Sequence, residues 1–272
     1  MRTTAILNLK GGVAKTVTCV NMAAILAADY GKRVLVVDAD SQANTTEFFG
    51  GDQSCAGLAD ALRGKCDSSD RPLRLQTTGV KNVELISADD TLMDLDLSAV
   101  KGGSVRVDCL KEVRVILEKE PPVESWLKPI YGEPIDYMLI DCPPAFNAAC
   151  AAALLAADDV IIPIKLDAFS LRGMANLMRQ IANMRKINPN LRVAGLLPTM
   201  VYKSEKISAA LDALRASKLF VFPAIRKTNK VDDMTFAQKP LIESSPKSAA
   251  CVDYRRFVTV YVRQGKGGAV NG

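Results

Sequence analysis

The stretch N-L-K-G-G-V-A-K-T-V-T, residues 8–18, decides how the rest of the chain reads. It follows an apolar run at residues 3–9 and leads into a helical pattern over 16–30, the strand–loop–helix context of a phosphate-binding loop. The strict pattern G-x-x-x-x-G-K-[ST] is not met. Leu9 and Ala14 stand where its two glycines belong, and Lys10 is an additional lysine five residues before Lys15. The polar parts are nonetheless present. Gly11 and Gly12 let the backbone turn N–H groups toward an anion, and the following helix offers unpaired N–H groups and the positive end of its dipole. Lys15 can reach the outer phosphates of a nucleotide, and the Thr16 hydroxyl can ligate Mg²⁺. Ala14 immediately precedes the helix. With a negative φ there its methyl group would cost little, and the loop is expected to survive the substitution.

Two further strands end in acids. R-V-L-V-V-D-A-D (33–40) and the M-L-I-D-C-P-P run (138–144) are continuous apolar stretches, as in parallel strands buried on both faces. Of Asp38 and Asp40, one could hold Mg²⁺ through water and the other orient an attacking water. Asp141 would lie next to the Mg²⁺ shell. A strand-end carboxylate can equally cap a helix or face solvent, and each feature alone is common. Three such elements in this order and spacing are not.

Beyond them, strand patterns recur at 158–167, in L-R-V-A-G-L-L-P-T-M (191–200) and in L-F-V-F-P-A-I (219–225). Helical patterns cover roughly 168–187, ended before Asn188-Pro189, and 204–216. Within 51–132, C-A-G-L-A-D-A-L-R-G and S-V-R-V-D-C-L-K-E-V-R-V-I-L-E-K-E look helical and N-V-E-L-I-S looks like a strand. Residues 226–246 read as polar and irregular. Residues 247–262 read as a terminal helix, against the β-branched F-V-T-V-Y-V, and Gly31 is a plausible helix stop. The alternation predicts one α/β domain over 1–264 and a flexible tail over 265–272. Its mainly parallel twisted sheet would carry helices on both faces, with ligands at the strand C-termini.

Composition narrows the chemistry. The 272 residues are 49% hydrophobic, enough for a sizeable core, and contain no histidine. That excludes a Ser-His-Asp triad, a histidine base and histidine-ligated metal. The seven cysteines form no C-x-x-C and read as reduced, buried thiols of a cytoplasmic protein. No apolar run reaches 18 residues and no signal-peptide layout opens the chain, so no membrane association is expected. The net charge of +5 is uneven. Residues 1–199 hold 22 Lys+Arg against 24 Asp+Glu, and residues 200–272 hold 13 against 6. The basic final quarter is a candidate footprint for a polyanion.

K-G-G-V-x-K-T, then D-x-D-x-Q-x-N-x-T, then D-C-P-P resembles the ParA/MinD family of P-loop NTPases, the deviant Walker A type. The similarity extends through residues 82–96, 152–178 and Y-R-R-F near the end. The resemblance implies ATP and Mg²⁺ as cofactors and a homodimer in which two subunits sandwich two ATP molecules. Lys10, matching the signature lysine, would reach the partner's phosphates much as an arginine finger does. It further implies catalytic roles for Lys10, Lys15 and Asp40, and nucleotide contacts from Lys10, Gly11, Gly12, Val13, Ala14, Lys15, Thr16 and Val17. Thr16, Asp38 and Asp141 would serve the metal, and loops near Thr199–Met200 and Pro223 the adenine. Ala14 and Ser41 replace the family's usual glycine and proline, which bears on affinity and turnover. An aspartate with a pKa near ~3.9 is a feeble base at neutral pH, so slow hydrolysis is expected, with ATP binding making the dimer and hydrolysis dissolving it.

Within the family, the tail lacks the sustained apolar stripe of a MinD-like membrane helix, and the cysteines lack an Fe–S pattern. The basic final quarter favours the DNA-partitioning branch. Lys203, Lys206, Arg215, Lys218, Arg226, Lys227, Lys230, Lys247, Arg255 and Arg256 are candidates for non-specific, salt-dependent contacts to double-stranded DNA. The reading implies a nucleoid-associated ATPase that partitions a plasmid, chromosome or mobile element, with a ParB-like partner stimulating hydrolysis. The alternative is a MinD-like or cargo-positioning ATPase acting at a membrane or on a protein cargo.

Overall fold

The computed structural model describes residues 1–66, 72–119, 127–128 and 134–266. In chain order these form β1 (Arg2–Ile6), α1 (Lys15–Tyr30), β2 (Val34–Asp38), α2 (Asn44–Phe48), α3 (Leu58–Leu62), β3 (Leu73–Arg74), β4 (Gln76–Thr77) and β5 (Val83–Ile86). A 3-10 turn (Asp90–Asp94), α4 (Leu97–Lys101), α5 (Cys109–Glu118), β6 (Leu127–Lys128), β7 (Tyr137–Asp141), α6 (Ala148–Ala156) and β8 (Asp159–Lys165) follow. The chain continues with α7 (Ala168–Met184), β9 (Arg192–Thr199), α8 (Glu205–Arg215), α9 (Lys230–Ala237), α10 (Leu241–Ser244) and α11 (Ala249–Lys266).

Seven strands build one sheet in the order β4-β5-β2-β7-β1-β8-β9. Every pairing is parallel except the antiparallel edge between β4 and β5. Alternation of side chains explains the wholly apolar strands. In β2, Leu35 and Val37 enter one apolar cluster while Val34 and Val36 enter the other. In β7, Met138 and Ile140 part from Leu139 in the same way. The first cluster is closed by α3, α5, α6 and α7, and the second by α1 and α11. Helices therefore cover both faces, as expected.

Chains leaving β1 and β7 pass to opposite faces, α1 to one and α6 to the other. Between these adjacent strands a crevice opens at their C-terminal ends, where doubly wound sheets place ligands. Gly31 ends α1 in the left-handed region, φ 62°, with its N–H on the Leu26 carbonyl.

Two expectations change, and a third holds with shifted bounds. L-F-V-F-P-A-I forms no strand, only isolated parallel bridges, Leu196 with Val221 and Val201 with Arg226. Pro198 and Pro223 lack N–H groups to donate, so a continuous ladder cannot form; Leu196 N–H still reaches Phe220 O at 2.8 Å and Ile225 N–H reaches Pro198 O at 2.8 Å. The stretch 226–246 is not irregular but holds α9 and α10. The terminal helix persists through Lys266 despite its β-branched residues, because Tyr254, Phe257, Val258 and Tyr261 are buried beneath it. Residues 267–272 of the expected tail lie outside the described residues.

Candidate functional site

The glycine-rich loop is pinned at both ends. The Asn8 side chain donates to Pro163 O at 2.7 Å and accepts from Lys10 N–H at 3.0 Å, tying the loop's start to β8. The Thr199 hydroxyl donates to Val13 O at 3.1 Å, tying its end to β9. Between these ties Gly12 has φ 67°, which only glycine adopts cheaply. Neither Gly11 nor Gly12 has a neighbour within 4 Å of where a Cβ would be, so the space beside both is open.

Ala14 overturns one expectation. It is the N-cap of α1 with φ 68° and ψ 37°, in the left-handed region, so its methyl group is strained rather than cheap. The backbone must reverse here to bring the loop into the helix, and Ala14 O still accepts from Thr18 N–H at 3.0 Å. Lys15 opens α1, is buried, and points its ammonium back at Lys10 O, 3.3 Å away. No acid lies in the first turn of α1 to neutralise its positive end.

Asp38 and Asp141 face each other directly in the β2–β7 register. Asp141 Oδ2 accepts from Thr16 Oγ1 and Thr45 Oγ1, each at 2.7 Å. Its Oδ1 is buried with no partner. Asp38 Oδ2 accepts from Thr46 N–H and Thr46 Oγ1, each at 2.8 Å, and Oδ1 accepts from Asp40 N–H at 3.1 Å. Burial pushes Asp38 up to about 7, with the Asp141 charge adding to it and the Thr46 bonds opposing. Burial also pushes Asp141 up to about 6; the Thr16 and Thr45 hydroxyls and Lys15 pull it back, and Asp40 pushes it up. Asp40 stands at the mouth, partly exposed, its Oδ1 accepting from Gln42 N–H at 3.1 Å.

These residues fit a magnesium ion that also takes phosphate oxygens. A buried carboxylate oxygen without a partner lies on a carboxylate already bonded to the Thr16 hydroxyl, and both are hard oxygen donors. Among the described residues no group of three or more His, Cys, Asp or Glu could cage a metal. Mg²⁺ is usually held by one or two carboxylates plus substrate phosphates, and Asp141 with the Thr16 hydroxyl matches that donor set.

Lys10 does not extend freely. Its ammonium donates to both Asp167 oxygens, at 2.8 and 2.7 Å, beyond the end of β8. Thr199 and Met200 line a cavity of about 100 Å³ together with Ala14, Val17 and Tyr254. Pro223 is not part of that lining; Ile225–Asn229 are.

The basic candidates divide. Arg215, Arg226, Lys230 and Arg255 are paired with Asp212, Asp253, Asp233 and Asp29. Lys203, Lys206, Lys218, Lys227, Lys247 and Arg256 have no carboxylate partner among the described residues. Sequence reasoning missed Asn8, Thr45, Thr46 and Asp167. Asp167 carries the signal that picked out Asp38 and Asp141, an acid ending a buried strand. Thr46 is the last residue of the D-x-D-x-Q-x-N-x-T pattern.

Comparison with known proteins places this geometry. A family model described as an AAA domain matches residues 1–193. The chromosome partitioning protein ParA of Caulobacter vibrioides is 34% identical over 214 residues, 76% of this chain and 73% of that protein. The sporulation initiation inhibitor protein Soj of Bacillus subtilis is 30% identical over 276 residues, 98% of each. The chain belongs to the ParA/MinD family of ATPases. Cobyrinic acid a,c-diamide synthase from Mycobacterium smegmatis, solved with a bound ATP analogue and magnesium, superposes with a TM-score of 0.78 at 28% identity, over 99% of this chain and 97% of that one. The cell division ATPase MinD of Pyrococcus furiosus, at 20% identity and TM-score 0.72 over 96% and 98%, shares the fold. This chain presents its glycine-rich loop and both strand-end acids at one end of a mainly parallel sheet. No helix among the described residues is long and apolar enough to cross a membrane.

Proposed function

We propose that this chain is a slow Mg²⁺-dependent ATP hydrolase whose ATP-bound form is a homodimer. On this reading the dimer binds double-stranded DNA without sequence preference and partitions a plasmid, chromosome or mobile element. A ParB-like DNA-binding partner stimulates hydrolysis, and the protein works in the cytoplasm on the nucleoid. One observation carries the reading: Lys10 opens a pinned phosphate loop beside two buried strand-end acids, in a chain that matches Soj across 98% of its length.

Thr16 and Asp141 would hold the ion directly and Asp38 from behind, and bound Mg²⁺ supplies positive charge against the triphosphate. Gly11–Val17 would wrap the phosphates with backbone N–H groups, and Lys15 would leave Lys10 O for a phosphate oxygen. Thr199, Met200 and Ile225–Asn229 would surround the base. Asp40, at the mouth, would orient the attacking water. Lys10 would exchange Asp167 for the partner's phosphates, completing each pocket only in the dimer. The six basic side chains without a carboxylate partner among the described residues support the DNA reading better than the four that are paired.

The test is gel filtration with ATP or ADP, alongside gel shifts on random-sequence DNA. Asp40→Ala should elute as a dimer with ATP and a monomer with ADP, and Lys10→Ala should stay monomeric with both. DNA retention should require ATP and fall steeply with salt. An Asp40→Ala variant that remains monomeric with ATP would end the sandwich reading; dimerisation without DNA retention would end the DNA reading alone.

A further inference from the structure

Two adjacent threonines at the start of α2 hold two acids on two different strands. Thr45 Oγ1 donates to Asp141 Oδ2 at 2.7 Å, sharing that oxygen with Thr16 Oγ1. Thr46 grips Asp38 with its N–H and its hydroxyl, and its hydroxyl oxygen accepts from Ala88 N–H at 2.9 Å. Both threonines are wholly buried. The two acids face each other in register, and a short helix bridges the pair from above.

The arrangement is asymmetric in a way that matters for a cation. Three donors occupy Asp38 across both of its oxygens, while two occupy Asp141 on one oxygen only. Asp141 Oδ1 is therefore the carboxylate oxygen left for an ion. Of the two hydroxyls on Oδ2, Thr16 belongs to the phosphate loop and moves with whatever the loop binds. Thr45 stands outside the loop and keeps Oδ2 occupied regardless. Without it, the Asp141 carboxylate could rotate to offer either oxygen to Thr16, and Oδ1 would lose its fixed direction.

We propose that Thr45 is a positioning residue for magnesium capture: its hydroxyl holds Oδ2 so that Oδ1 of Asp141 stays presented to the ion. Groups that orient metal ligands in this way typically contribute 10–100-fold in metal affinity. The inference rests on the Mg²⁺-ATP reading given under Proposed function.

The experiment follows a fluorescent ADP analogue, mant-ADP, binding to the full chain in EDTA and across a Mg²⁺ titration. Thr45→Val, of equal size but without the hydroxyl, should raise the Mg²⁺ concentration at half-effect about tenfold or more. Its affinity in EDTA should stay within about twofold of wild type, and Thr45→Ser should restore the Mg²⁺ response. Thr45→Ala repeats the measurement if valine is not accommodated. An unchanged Mg²⁺ midpoint, an equal loss in EDTA, or a serine variant as defective as valine would each overturn the proposal. If wild type itself ignores Mg²⁺, the magnesium reading falls first, and Thr45's role with it. If wild type responds and the valine variant matches it, only Thr45's role falls.

Discussion

Replacing Ala14 with glycine should stabilise this protein, the reverse of what alanine-to-glycine changes in helices usually do. Ala14 has φ 68°, and an L-residue with a Cβ pays about 1–2 kcal/mol for that conformation. Glycine removes the strain but returns about 0.4–1 kcal/mol through its freer unfolded chain. The net gain is about 0.5–1 kcal/mol. For a chain of this length that corresponds to a rise of about 1–4 °C in melting temperature. Thermal and urea melts of Ala14→Gly should be run beside Ala213→Gly, an exposed position within α8. The control should lose about 0.5–1 kcal/mol. Because glycine adopts the same left-handed backbone that Ala14 holds, ADP affinity should change less than about threefold. Equal destabilisation by both substitutions would refute the reasoning, since it would mean the backbone at 14 is not left-handed in solution. Unchanged stability with much tighter ADP binding would mean the strain is taken up only on binding.

Four other expectations follow from the structure. Asp38 and Asp141 are raised to about 7 and about 6, so the folded chain holds protons that the unfolded chain has shed. Their contribution is complete below about pH 4 and is lost as pH rises from there through those values; urea midpoints should fall between about pH 4 and 7 and level off above, and Asp38→Asn should flatten the fall. A Cβ at Gly195 would lie 2.8 Å from both Phe220 O and the Phe222 ring, so Gly195→Ala should cost about 1–3 kcal/mol in urea melts. Arg226 forks onto Asp253 through Nε at 2.7 Å and Nη2 at 2.8 Å, so Arg226→Ala should lower the melting temperature. On the proposed DNA reading, Lys227→Ala should leave melting unchanged and reduce the slope of log affinity for DNA against log salt by about 0.9.

The sheet was legible because its strands are apolar on both faces, leaving a signature of unbroken runs such as V-L-V-V. The loop was legible because its glycines and lysines are local in sequence. The dihedral of Ala14 was not, because it is set by where β1 and α1 must join. Thr45 was not, because the bond to Asp141 spans 96 residues and exists only once β2 and β7 pair. α9 could have been found: Asp232 and Asp233 sit in its first turn, favourable to the helix dipole. L-F-V-F-P-A-I failed for the opposite reason, since its β-rich composition outweighed a proline that should have counted against it.

The hydroxyl of Tyr254 on α11 lies 3.3 Å from that of Thr18 on α1, and Tyr254 also borders the cavity beside Ala14. The final helix is thus a wall of the cavity beside Ala14, a residue it follows by more than 200 positions in sequence. Shortening the protein there would not trim an appendage but remove a buttress from the loop's own helix. A truncated version that lost nucleotide would say nothing about the phosphate-binding residues themselves.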